Sequence, residues 1–284
     1  MDVGQTVWGL NGTSGGGGTA PTLLGLEGTQ QGQRVDEQEF ARQLREMEYR
    51  ASSLFPEGWA EHPGYREVAA WPTRFARGRF TRDDLQHALV SAAGRGYATA
   101  LLPCAFDRSI AATADGYEFY QSAGAKGADG RDVHWQLRRS GLVYQRTAMP
   151  EDLCGGTRAG FSSLDATIAY ITEAVDSLGR LYETISDPDE QITMRFRMTD
   201  TAGRTLSPAD ASGVEPPTCP LAEVLYDIAR PAVVLRNKRA TIGAEVVRDV
   251  LQQFNWPNPP VHTIRTLVDR HVTRIIYRHY GRTD

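Results

Sequence analysis

The chain has 284 residues, 40% of them hydrophobic and 23% charged, which is enough apolar material for one large folded unit or two ordinary ones. No apolar run approaches the roughly 20 residues a membrane-spanning helix needs, and no basic stretch followed by an apolar block marks a secretory leader. A net charge of −4 excludes a protein that is basic all over, but the charge is uneven: residues 229–284 carry +6 and the remainder −10. That distribution predicts either a local anionic partner or an internal docking surface for the C-terminal fifth.

The first 35 residues are rich in Gly, Thr and Gln. Within them "GLNGTSGGGGTAPTLLGLEG" (Gly9–Gly28) invites comparison with a phosphate loop. A P-loop needs a lysine and a hydroxyl after its last glycine, whereas no Lys or Arg precedes Arg34 here. A dinucleotide fingerprint needs a helix opening straight from its glycines, and Pro21 opposes that. The stretch therefore predicts a turn leading into a strand at Thr22–Leu26. A helix is predicted next, capped by Asp36, with Phe40, Leu44, Met47 and Leu54 on one stripe. Residues 56–82 hold three prolines and three glycines and predict irregular or edge-strand structure.

A short helix over about Thr81–Ala93 follows, with Thr81 as cap and Asp83 and Asp84 near its positive end. Strands are predicted at 97–106 and 116–122, and a hairpin over 131–149 turns at Ser140-Gly141. Leu164, Ile168, Ile171, Val175, Leu178, Tyr182 and Ile185 recur at alternating spacings of four and three. This is one apolar seam on a helix about 33 Å long, ended by Asp187-Pro188. "EQITMRFRMTD" alternates Ile192, Met194, Phe196 and Met198 against polar residues, which predicts a half-buried strand. Helices are predicted near 220–236, 241–255 and 262–280. The sum is an α+β protein, a mixed sheet with packed helices and a helical C-terminus, in two parts, 1–110 and 111–284.

Nucleophilic and metal chemistry find little support. There is no Gly-x-Ser-x-Gly elbow, and no His pair or Glu-x-x-His has metal-ligand spacing; His271 and His279 stand two helical turns apart. Cys104, Cys154 and Cys219 are too few and too far apart for a disulfide framework, which predicts a cytoplasmic location. No catalytic residue, cofactor or metal is assigned. The strongest binding signal is "RFARGRFTR", where Arg74, Arg77, Arg79 and Arg82 interleave with Phe75 and Phe80. Such a segment suits phosphate contact by guanidinium groups with Phe75 stacking on a base, or else an exposed strand edge kept soluble by charge. Arg270, Arg274 and Arg278 form a second cationic stripe on the terminal helix.

Several of these stretches together resemble bacterial proteins with a Schlafen-AlbA-like DNA-binding domain. "LNGTSGGGGTAPTLLGLEG" is similar to that family's paired glycines ahead of a strand, and "QGQRVDEQEF" to its connector and acidic helix start. "DGYEF", "WQLRRSGLVYQRTAMPED", the helix carrying Ile168 and Glu173, and "TMRFRMTDTAGRTL" look like the region that accompanies the domain. The resemblance covers roughly 10–50 and 115–206. It implies close backbone packing at the glycine run and DNA binding. It starts without the family's Glu-Phe-Lys-like element, so the N-terminal part is expected to be incomplete and nuclease activity is not expected to be inherited.

The sequence thus predicts a nucleic-acid-binding protein of low sequence specificity, meeting DNA in preference to RNA through Arg74, Phe75, Arg77, Arg79 and Arg82, without a membrane partner. Two alternatives stand beside it. One is an interaction or oligomerisation module pairing through the Leu164–Ile185 seam, with a second copy of the chain as candidate partner. The other is a metal-dependent nuclease acting through Glu151, Asp152 or Asp165.

Overall fold

The computed structural model of the chain describes residues 24–54, 64–92, 110–121, 133–153, 159–207 and 217–280. In chain order they form α1 (Leu24–Leu54), β1 (Tyr65–Pro72), α2 (Arg82–Ala92), β2 (Ile110–Thr113), β3 (Gly116–Gln121), β4 (Val133–Arg138) and β5 (Val143–Ala148). Then come α3 (Pro150–Leu153), β6 (Phe161–Ser163), α4 (Leu164–Ile185), β7 (Gln191–Thr199), β8 (Thr205–Ser207) and β9 (Glu223–Pro231). The described chain ends in α5 (Ala232–Asn237), α6 (Arg239–Gln253) and α7 (Val261–Tyr280). This is an α+β architecture with a helical C-terminus. No described helix is long and apolar enough to cross a membrane.

Seven strands make one antiparallel sheet in the order β2-β3-β4-β5-β1-β7-β9, and β6 pairs with β8 in a short parallel ribbon. β1 sits between β5 and β7, so the sheet crosses the expected boundary at 110/111. Successive side chains of each strand point to opposite faces. One face presents Val68, Ala70, Trp135, Leu137, Met194 and Phe196 to the main core. α4 fills that core, with α2, α5, α6 and α7 packed around it. The other face presents Ala69, Tyr144 and Trp71, and α1 covers it with Phe40, Leu44 and Met47.

Local chemistry explains the elements that the sequence announces. α4 is capped by Ser163, whose side chain accepts from the Ala166 N–H at 3.2 Å, and runs 22 residues from Leu164 to Ile185. Thr81 and Asp84 cap α2 reciprocally. The Asp84 N–H donates to Thr81 Oγ1 at 3.1 Å, while the Thr81 N–H donates to Asp84 Oδ2 at 2.8 Å. β4 and β5 turn at Ser140-Gly141, where φ is 90° at Gly141. The β2–β3 turn closes on Gly116 at φ 146°, where an added Cβ would stand 1.9 Å from the Leu137 carbonyl oxygen. Gly116→Ala is therefore expected to cost roughly 3 kcal/mol, read as a lower denaturant midpoint.

Three expectations are corrected. The turn and strand expected at Thr22–Leu26 give way to helix from Leu24, so Asp36 lies inside α1 and caps nothing. A helix once started extends at little cost per residue, and Leu26, Glu27, Gln30, Gln31, Gln33 and Arg34 before Asp36 are good helix formers that offset the three glycines among them. The stretch expected to be irregular or an edge strand holds β1, an interior strand between β5 and β7. The helix expected near 220–236 is strand β9 followed by the six-residue α5. The glycine run, the strand expected at 97–106, Cys104 and Cys154 lie outside the described residues.

The free edge of β9 is closed by a side chain. The Gln253 carboxamide of α6 accepts from the Leu225 N–H at 3.2 Å and donates to the Leu225 carbonyl at 2.9 Å. A carboxamide offers the same donor and acceptor as a peptide group, so one side chain satisfies the edge where another strand would pair.

Candidate nucleic-acid interface

The arginine-rich segment forms the loop between β1 and α2, at one end of the sheet. The Thr73 N–H and Oγ1 both bond to the Gln191 carbonyl, at 2.9 and 2.8 Å, as the chain leaves β1. Both interleaved rings turn inward. Phe80 is 7% exposed and belongs to the main core. Phe75 packs edge-on against Phe40 of α1, with ring centroids 4.9 Å apart and an interplanar angle of 87°. The rings thus anchor the loop to the sheet on one side and to α1 on the other. Phe75, expected to stack on a base, is half-buried and makes this edge contact.

The four arginines divide into two kinds. Arg79 grips the Glu190 carboxylate with both Nη atoms, at 2.6 and 2.5 Å, and its guanidinium lies 4.9 Å from the Phe80 ring centroid. That bidentate pair is largely buried, so Arg79 is a loop anchor and not a free phosphate ligand. Arg74, Arg77 and Arg82 face solvent. Arg74 is 78% exposed and only 4.0 Å from an equally exposed Asp187, a contact of little energetic weight. Arg82 donates to the Thr113 carbonyl at 2.7 Å, which orients it without neutralising it. No carboxylate among the described residues pairs with Arg77 or Arg82.

The fold adds a residue that the sequence pattern does not single out. Arg139, in the β4–β5 turn, donates from Nε to the Phe80 carbonyl at 3.0 Å and receives its own backbone support from the Asp115 carbonyl at 2.8 Å. Its Nη2 lies 3.5 Å from the place a Cβ on Gly78 would occupy, which puts the guanidinium against the loop at Gly78, between Arg77 and Arg79 in the chain. The only signal in the sequence is the Arg-Arg pair before the hairpin turn. Its companion Arg138 is committed to Glu46 and Asp115, at 2.8 and 3.5 Å.

The second basic stripe stays apart from the loop. Arg270 and Arg274 are exposed on α7, which packs against α4 and α6 on the side of the sheet away from α1. The Arg278 side chain lies outside the described residues. His271 meets Asp165 at 3.3 Å.

Two of the three carboxylates considered for nuclease chemistry, Asp152 and Glu151, serve the fold, and the third, Asp165, is half-exposed beside His271. Asp152 accepts from both Nη atoms of Arg204, at 2.8 and 2.7 Å, and from the Ala159 and Gly64 N–H groups, each at 2.7 Å. Burial works against its ionisation, but these hydrogen bonds outweigh burial and hold its carboxyl below the usual range. Glu151 holds buried Arg66 at 2.8 Å and the Ser163 N–H at 2.7 Å. Among the described residues no group of His, Cys, Asp or Glu is arranged to hold a metal ion. Cys219 is buried, with its thiol 3.5 Å from the Leu221 carbonyl.

No family model, curated protein or solved structure matches this chain.

Proposed function

We propose that the protein binds nucleic acid, DNA in preference to RNA and with little sequence preference, through the loop between β1 and α2. The observation that carries this reading is the outward presentation of Arg74, Arg77 and Arg82 on a loop pinned by Phe75, Phe80 and Arg79. A guanidinium fork suits phosphate oxygens, and pinning the loop lowers the ordering cost of contact. Arg139 supplies a fourth cation to the same surface. The resemblance to Schlafen-AlbA-like proteins points to the same class of partner. The oligomerisation alternative drew on the α4 seam, which is spent inside this chain, and the nuclease alternative on Glu151, Asp152 or Asp165, of which the first two hold Arg66 and Arg204 and the third meets His271.

Binding to DNA is expected to weaken steeply with salt, since each neutralised phosphate releases counterions. Replacing Arg74, Arg77 and Arg82 together by Ala should lower the slope of log affinity against log salt by about 0.7–0.9 for each phosphate that no longer meets a guanidinium. An electrophoretic or anisotropy titration across salt concentrations measures it. A triple variant that binds like the parent overturns the assignment.

A further inference from the structure

We infer that the cleft between α1 and the β1–β7 pair receives an unpaired nucleobase, so that the nucleic acid held by the arginine loop is single-stranded. The inference rests on the function proposed above. The cleft has a volume of about 310 Å³ and is lined by Phe40 and Leu44 of α1, Trp71 and Thr73 at the end of β1, and Thr193 and Arg195 of β7. That is the lower end of the size range of small-ligand pockets, and the mixture of apolar walls with a few polar groups is theirs too.

The cleft has a built platform for a flat ring. The Arg195 guanidinium lies 5.6 Å from the Trp71 ring centroid and is held by both oxygens of Asp227, at 2.8 and 2.7 Å. The guanidinium covers one face of Trp71, with Phe40 6.5 Å from the same ring, so the surface left to a base is the outer plane of this fixed guanidinium, on which bases stack as they do on rings. Thr73 Oγ1 donates its proton to Gln191 and so meets the cleft as an acceptor. Glu37 also borders the cleft, where its carboxylate opposes a phosphate and can accept from a base amine.

Continuity with the loop identifies the occupant. Trp71 and Thr73 line the cleft, and Arg74 and Arg77 follow directly in the chain. Phe75 packs on Phe40, itself a wall of the cleft. The loop that offers the phosphate contacts thus continues in the chain from a wall of the cleft and packs through Phe75 on another. A base in a duplex is stacked and paired, and bringing it into such a slot costs a few kcal/mol; a base in a single strand is spared most of that.

The test compares a short mixed-sequence DNA strand, its duplex and an abasic strand of the same length. The parent is expected to bind the normal strand roughly tenfold more tightly than either of the others, the scale of one base–aromatic stack. Trp71→Ala should remove this advantage and leave the salt slope unchanged. Thr193→Trp, which fills the cleft without deleting any wall, should do the same and guards against a folding defect in the first variant. If the abasic strand and the duplex bind as well as the normal strand, the cleft takes no base, while the arginine-loop reading stands. If nothing binds in a salt-dependent way, both readings are lost.

Discussion

Asp152→Ala is expected to lower folding stability by about 3–5 kcal/mol, because it strands Arg204 in the interior without its partner. The Arg204 side chain is 0% exposed and that of Asp152 is 1% exposed. The carboxylate also satisfies two backbone N–H groups, those of Gly64 and Ala159, from segments far apart in the chain. Removing it takes the acceptor from the Gly64 and Ala159 amides and the carboxylate from the Nη1 end of the guanidinium, while Nε keeps the Asp200 carbonyl at 2.6 Å. Asp200 remains at 2.8 Å from Arg204 and compensates in part. Urea unfolding of parent and variant measures the loss, and an unchanged midpoint would refute the role assigned to the cluster.

The same cluster has a sign in pH. The folded-state pKa of Asp152 lies below its unfolded value, so its contribution is fully present above the unfolded carboxylate range, near 3.9. That contribution fades as pH falls from there through the folded pKa. Asp152→Asn should therefore flatten the acid limb of the stability profile, and leave the alkaline limb as it is.

Val175→Glu is expected to cost more than about 4 kcal/mol and to leave the chain unfolded or insoluble. Val175 is 0% exposed, on a helix whose buried side chains run from Leu164 to Tyr182. A carboxylate there meets the sheet on one side and the helices packed around α4 on the other, with no water to solvate it. A seam reserved for a partner chain would behave differently: the variant would stay folded and become a monomer. Circular dichroism with light scattering separates the two, and a folded monomeric variant would reinstate α4 as an interface.

Much of the architecture can be read from local pattern. α4, β7, the β4–β5 hairpin and α2 sit where period and capping chemistry put them, since each element's own neighbours in the chain set its amphipathic period. β9 replaces an expected helix because Val224 and Ile228 are four residues apart. That spacing fits one helical stripe and also one face of a strand, and pairing with β7 decides between them. β1 is hidden from local pattern because a central strand buries both faces. Its Arg66 and Glu67 look like surface residues, yet they are 2% and 3% exposed. Glu67 accepts from Tyr144, Arg146 and Arg197 at 2.9, 2.5 and 3.2 Å, partners 77 to 130 residues away.

The arginine segment divides along the same line. Its composition alone marks it as a loop rich in guanidinium groups and rings. Which groups remain available is a matter of distant residues: Glu190, 111 positions on, takes Arg79, Phe40 takes Phe75, and the β4–β5 turn adds Arg139. Periodicity and caps are properties of adjacent residues and survive in a one-dimensional string. The fate of a charge or a ring depends on what stands a few ångströms away, and only the folded chain brings those neighbours together.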